Sequence, residues 1–207
     1  MIADDVVWLY KAAAAEKLIV GTPGNISART HEGILITPSG GTPETVGPDD
    51  LASITTQGAP LNGNTRSSEW AMHAAVYQTC PGVNYIVHTH ADACTALACL
   101  NDRLPPFHYM VLRFGGDDVR CGRYATFGTQ ALADLAAVAI NGRTACLLAN
   151  HGMIVGGVDA KQALERSLLL EILCRQYLLA RSAGTPRLLS KEEMQAARER
   201  FKTYGKR

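Results

Sequence analysis

The sequence predicts an α/β domain with helices on both sides of a mixed, largely antiparallel sheet. Three observations carry this. Segments of strand period and segments of helical period interleave along all 207 residues, with no repeat, low-complexity tract or linker between them. Turns near Gly33 and Gly152 separate apolar, strand-like runs, a hairpin pattern rather than a parallel crossover. Apolar residues make up 47% of the chain and charged residues 19%, which supports a packed core and argues against disorder. At this length one domain, residues 1–207, is the expectation.

The elements follow in order. Residues 4–17 have a helical period, with Asp4 and Asp5 at the end where the helix dipole favours acids. Gly21-Thr-Pro-Gly-Asn25 then turns the chain into a strand over 26–29. That turn reads either as a plain connector or as backbone that approaches a ligand closely. A hairpin turn at 31–33 leads to a strand over 33–37, and Pro38-Ser-Gly-Gly41 forms a small loop at its end. A third strand covers 51–56. Ser67-Ser68-Glu69 opens a helix to about residue 79, with either serine as N-cap and Glu69 in the first turn. Residues 83–88 alternate as a buried strand, and a helix follows over 91–100. Pro105-Pro-Phe-His-Tyr-Met110 reads as a loop that exposes His108 and Tyr109. A turn at 115–118 precedes a short strand over 119–121, and a helix runs from Thr129 to about residue 141. Strands at 144–150 and 153–155 are broken at His151-Gly152. Asp159 caps a long helix to about residue 180, stopped by Gly184 and Pro186. Ser190-Lys-Glu-Glu193 is a capping box that opens a last helix to 204, and the basic tail over 202–207 belongs on the surface.

Several function classes are disfavoured. The formal net charge is +1, so bulk electrostatics points to neither nucleic acid nor a membrane surface. No apolar run approaches the roughly 20 residues of a membrane-spanning helix. Residues 1–17 contain Asp4, Asp5 and Glu16 and lack the basic start and apolar core of a signal peptide. The six cysteines form no C-x-x-C pair and read as reduced, buried small hydrophobes of a cytoplasmic protein.

Chemistry concentrates at the end of the strand over 83–88. His88 and His90 are two apart, and residues i and i+2 of a strand share a face. Two imidazoles on one face can grip one metal ion, and a third ligand would complete a catalytic zinc-type site with an open position. His151, at the break between two strands, is well placed to be that ligand, although a histidine before glycine also fits a turn. Glu69 has a structural reading at the helix dipole and a functional one. Serine hydroxyls and free N–H groups at a helix start form an anion site, and a carboxylate there faces the same cleft. His73, one turn beyond Glu69, reads as a packing or supporting histidine rather than a ligand.

Gly21-Thr-Pro-Gly-Asn25, Thr37-Pro-Ser-Gly40, Ser67-Ser-Glu69, His88-Thr-His90 and Asn150-His-Gly152 come in the order and spacing of the class II aldolase/adducin-head family. The chain resembles that family over essentially its whole length. Ser67-Ser-Glu-Trp70, His108-Tyr-Met110, Tyr124-Ala-Thr-Phe-Gly-Thr129 and Phe201-Lys-Thr-Tyr-Gly205 resemble its ketose 1-phosphate aldolases. The resemblance implies a three-layer α/β/α fold, one Zn2+ per subunit and a cyclic homotetramer with sites between subunits. It implies His88, His90 and His151 as zinc ligands, with Glu69 as exchangeable fourth ligand and catalytic base. Gly24, Asn25, Ser39, Gly40, Ser67 and Ser68 match the phosphate pocket. Ser39 stands where a threonine is typical, and the hydroxyl is kept. Tyr109 matches a proton donor that enters from a neighbouring subunit, Phe127 a residue lining the aldehyde pocket, and Tyr204 a tail residue closing over the site. The implied reaction is reversible cleavage of L-fuculose 1-phosphate, or a close deoxyketose analogue, to dihydroxyacetone phosphate and a small aldehyde such as L-lactaldehyde. The family's L-ribulose-5-phosphate 4-epimerases tend to carry Asp where this chain has Glu69. A non-catalytic adducin-head-like module has no reason to keep the histidines and Glu69 together.

Overall fold

The computed structural model describes residues 1–204; the end of the basic tail, with Gly205 of the last motif, lies outside the described residues. Seven strands pair into one sheet: β1 (Asn25–Arg29), β2 (Ile34–Ile36), β3 (Ala52–Ile54), β4 (Tyr85–Thr89), β5 (Cys121–Gly122), β6 (Ala145–Leu148) and β7 (Gly152–Gly157). Their order is β3-β2-β1-β4-β7-β6-β5, and every neighbouring pair is antiparallel except β5 with β6. Among the described residues six α-helices cover it: α1 (Ile2–Ala15), α2 (Trp70–Thr79), α3 (Asp92–Cys99), α4 (Gln130–Ile140), α5 (Ala160–Ala183) and α6 (Lys191–Thr203).

The period-2 pattern of the central strands divides the core in two. Tyr85 and Val87 of β4, with Met153 and Val155 of β7, pack against α1, α3 and α5. Ile86 and Ile154 face the other way, onto α2 and α4. With both faces covered the architecture is the expected three-layer α/β/α fold with a mixed, largely antiparallel sheet. His88, Asn25 and Ser27 share the face under α2, since Asn25 lies opposite His88 and Ser27 opposite Ile86 in the register of β1 with β4.

Helix ends follow the sequence closely. Thr129, Asp159 and Ser190 each accept an N–H from the first turn of α4, α5 and α6, and Ser190 with Glu193 completes a capping box. Each such cap is worth about 1 kcal/mol.

The start of α2 differs. Neither Ser67 nor Ser68 caps it; the N-cap position is Glu69. Ser67 Oγ instead accepts the Glu69 N–H at 3.2 Å, which leaves the Glu69 carboxylate free to turn toward the histidines. Residues 109–114 form a 3-10 helix rather than a loop, because His108 Nδ1 accepts the Met110 N–H at its start. The strand expected over 51–56 shortens to β3, since the Thr55 N–H closes a turn onto the Ala59 carbonyl. The strand expected over 119–121 reduces to β5, and Val119 pairs instead with Leu104. All six thiols are free, but Cys99 is exposed and Cys80 and Cys121 are half-buried, so only Cys94, Cys146 and Cys174 behave as core residues.

One long-range contact fixes the chain beyond His90. The Glu171 carboxylate, buried on α5, accepts the N–H groups of Ala93 and Cys94 at 2.9–3.1 Å. It satisfies two of the free donors at the start of α3 and suits the positive end of that helix.

Candidate active site

β4 ends at Thr89, so His88 lies on the strand and His90 just past it. The spacing still brings the rings together, with centroids 5.1 Å apart. His151 sits in the turn from β6 to β7, aimed by Asn150, whose backbone is left-handed at φ 55°. Its ring lies 4.8 Å from His88 and 4.7 Å from His90, and all three planes meet at 72–78°. Each offers one nitrogen within 4.8 Å of the other two.

Glu69 closes the group. Its Oε2 lies 3.1 Å from His88 Nε2, and its Oε1 lies 3.3 Å from His151 Nε2. The Asn25 amide donates to Oε2 at 2.9 Å. His88 Nδ1 lies 2.8 Å from the Met153 carbonyl, an acceptor only, so Nδ1 carries the proton and Nε2 presents a lone pair. That lone pair faces a carboxylate oxygen in a buried place. His88 Nε2 and Glu69 Oε1 have no hydrogen-bond partner. Two facing acceptors are costly in the interior unless a cation lies between them. Three imidazoles and a carboxylate are the donor set of a divalent cation such as zinc, so these residues fit a metal.

Burial pulls the Glu69 carboxyl upward, but the His88 imidazole beside it, the Asn25 N–H and His151 outweigh it and hold the carboxyl well below the usual carboxylate range. Burial lowers the His90 imidazole, brings His151 to about 4 and brings the fully buried His73 to about 3. This sets a direction for the metal-free protein. His73 and His151 titrate near 6.5 in the unfolded chain and only near 3 and 4 in the fold. Across that window the unfolded chain holds more protons, so stability is full above 6.5 and falls as pH drops toward 3. Urea unfolding at about pH 7.5 and about pH 5 checks it: the lower midpoint belongs at pH 5. An equal midpoint would mean that His73 accepts a proton inside the fold.

Beside the histidines opens a cleft of about 730 Å³. Gly24, Asn25, Ser39, Gly40, Ser67 and Ser68 all line it, with Glu69, His90, His151 and, at its mouth, the exposed Phe127. His88 is fully buried behind them. No Lys or Arg is among the described residues lining the cleft, so an anion there meets hydroxyls, an amide and backbone N–H groups. Gly24 has φ 111°, and a Cβ would stand 3.1 Å from the His88 carbonyl oxygen, so glycine permits the close approach of this loop to β4. Among the described residues lining the cleft, Thr95, whose Oγ1 is buried without a partner, is the one outside every motif read from the sequence. Thr95 gives no sequence signal, because it looks like any residue of an alanine-rich helix.

Tyr109 and Tyr204 do not line this cleft. They line a separate cavity of about 830 Å³ with Met110, Arg113 and Phe201. Tyr109 stacks on His108 at 4.7 Å between centroids and is 47% exposed.

Gly152 is the joint between His90 and His151. A Cβ there would collide with the Thr89 carbonyl oxygen and stand 3.1 Å from the His90 ring. Backbone cannot yield as a side chain does. Gly152→Ala is expected to cost about 2 kcal/mol, on the scale of core overpacking, and to lower bound metal. Thermal melts with metal analysis check this; wild-type values for both would show that the joint has slack.

The family model described as Class II Aldolase and Adducin N-terminal domain matches residues 4–178. A 5-methylthioribulose-1-phosphate/5-deoxyribulose-1-phosphate aldolase of Rhodospirillum rubrum is 44% identical over 185 residues, covering 89% of this chain and 84% of that protein. The L-fuculose phosphate aldolase of Escherichia coli K12 is 41% identical over 188 residues, covering 90% and 87%. A solved L-fuculose 1-phosphate aldolase superposes with a TM-score of 0.92 at 37% identity, covering 97% of this chain and 96% of its own. Matched over most of its length by family, sequence and fold, the chain belongs to the class II aldolase and adducin N-terminal domain family and is an enzyme of its aldolase branch.

Proposed function

We propose that this single-domain protein is a zinc-dependent aldolase that cleaves a ketose 1-phosphate reversibly to dihydroxyacetone phosphate and a small aldehyde. One observation carries this: a cleft that joins a neutral hydroxyl and N–H cradle to a carboxylate and three imidazoles. The cradle suits the phosphate and the imidazole cluster suits the carbonyl end.

His88, His90, His151 and Glu69 would hold the cation, which when bound supplies Lewis acidity at the substrate carbonyl. Gly24, Asn25, Ser39, Gly40, Ser67 and Ser68 hold the phosphate and so fix the reacting carbons beside Glu69. The Glu69 carboxylate takes the C3 proton of dihydroxyacetone phosphate in condensation and returns it in cleavage. The Tyr109 phenol gives its proton to the aldehyde oxygen in condensation and regains one in cleavage. Because Tyr109 lies outside the cleft of its own chain, it acts across a subunit boundary, in a homotetramer with sites between subunits. Phe127 flanks the aldehyde, and Tyr204, which lines the same outer cavity as Tyr109, covers that end from the neighbouring subunit. The six free thiols suit a reducing, cytoplasmic setting. Among the described residues no helix is long and apolar enough to cross a membrane.

The aldehyde is either L-lactaldehyde, as for L-fuculose 1-phosphate, or the product of a 5-deoxy- or 5-methylthioribulose 1-phosphate. The relative at 44% identity favours this second pair. A coupled assay for dihydroxyacetone phosphate with these three ketose 1-phosphates, and with L-ribulose 5-phosphate as control, tests the function. Release from at least one of the three and none from the control is expected. Epimerisation of the control, with no release from the three, would overturn the aldolase reading.

A further inference from the structure

Beneath the cleft runs a chain of buried polar groups that no step above uses. Glu69, His73 and Tyr77 stand four residues apart around α2, so they share one helix face. Asn25 and Ser27 share one face of β1. Four helical residues rise about 6 Å and two strand residues about 6.7 Å, so the two series stay in step. The result is a ladder. Tyr77 OH lies 2.9 Å from Ser27 Oγ, and Ser27 Oγ lies 2.7 Å from His73 Nδ1. His73 Nε2 lies 2.5 Å from Asn25 Oδ1, and Asn25 Nδ2 lies 2.9 Å from Glu69 Oε2. Ser27 and His73 are fully buried, and Tyr77 nearly so.

With a neutral His73, one arrangement of protons satisfies it. Asn25 Oδ1 accepts, so His73 Nε2 carries the hydrogen. The neutral imidazole then accepts at Nδ1 from the Ser27 hydroxyl, and Ser27 accepts from the Tyr77 phenol. Reversing the Asn25 amide would set Oδ1 against Glu69 Oε2, two acceptors at hydrogen-bond distance. If this volume needed only filling, apolar side chains would fill it without the risk of an unpaired buried group.

We propose that His73, held by Ser27 and Tyr77, is a positioning residue: it fixes which way the Asn25 amide faces and so aims the Glu69 carboxylate into the cleft. The inference rests on Glu69 being the base. It assigns His73 no contact with substrate and no proton transfer.

Two substitutions separate this role from packing. In His73→Gln the amide N–H reaches the place of the imidazole Nε2 and still serves Asn25. In His73→Asn it reaches only the place of Nδ1. His73→Asn is expected to lower kcat on the accepted ketose 1-phosphate about ten- to a hundredfold, the scale of a misaligned reacting group. Its KM should stay within about threefold and its metal content nearly unchanged, since the three imidazoles and five other cradle residues remain. His73→Gln should regain most of the loss. Equal losses in both variants, or a wild-type kcat in His73→Asn, would overturn the proposal. Nitrogen NMR of the metal-loaded wild-type protein gives a readout besides turnover: His73 should show one fixed tautomer, protonated at Nε2. A tautomer protonated at Nδ1, or two in exchange, would also overturn it. Should His73→Asn not fold, Tyr77→Phe takes its place, with a loss of about threefold in kcat expected at unchanged metal content; no loss would overturn the role of the ladder. Glu69→Gln runs alongside. If that variant turns over normally, the base reading fails, while the tautomer still decides whether Asn25 is held by His73.

Discussion

Glu69→Gln is expected to lose about a thousandfold in kcat while still binding dihydroxyacetone phosphate. General-base catalysis contributes about 10²- to 10⁴-fold, and the neutral amide is far too weak a base to take the C3 proton. The six cradle residues are untouched, so calorimetric titration with dihydroxyacetone phosphate should still find the site. A kcat within about tenfold of wild type would remove Glu69 from the base role. The same variant tests the subunit boundary. Mixed with Tyr109→Phe protein, denatured and refolded together, it should form hybrids in which one chain's intact Glu69 meets another chain's intact Tyr109. Such mixtures should turn over faster than either variant alone. Mixtures no faster than the parents would place Tyr109 outside the reaction or within its own chain.

His151→Ala should weaken metal binding at least about a hundredfold, the upper end of what is lost when a mere supporting partner of a ligand is removed. His151 is the clean choice among the three. His88 is fully buried and hydrogen-bonded to Met153, so its loss would damage the core as well. His151 stands in a turn and faces the cleft. A hundredfold weaker site forfeits about 2.7 kcal/mol of metal-linked stability at the same free metal concentration. The variant should therefore melt below the wild type when metal is present, and the two should nearly coincide in excess chelator. Unchanged metal per chain would reduce His151 to a turn residue.

Much of this was legible because it is local. Val83 to His88 alternates as a strand must, and β4 is buried on both faces. Thr129, Asp159 and Ser190 announce helix starts by a chemistry that acts within three residues. The histidine pair needs only the period of a strand. What stayed hidden depends on distance along the chain. Nothing near Glu171 says that its carboxylate will grip the start of α3, 77 and 78 residues away in sequence. The Ser67 assignment failed because two local roles competed and a distant partner decided: Glu69 is drawn to His88 and His151. His73 could be recognised as a supporting histidine, but its partner Ser27 lies 46 residues earlier and only the register of β1 under α2 joins them. The parallel placement of β5 beside β6 rests on two residues, too few to show a pattern.

The pairing of β4 with β7 has a kinetic consequence. The middle of the sheet is a seam between Tyr85–Thr89 and Met153–Gly157, with α3, β5, α4 and β6 lying between them in the chain. Non-local pairings of this kind are entropically late, because the loop must be closed before its contacts repay the cost. His88 and His151 stand on opposite sides of that seam. The three-imidazole cluster is therefore expected to assemble late, with the closure of this seam. Metal capture during refolding then serves as a clock for completion of the sheet, and a captured ion acts as a latch on the seam.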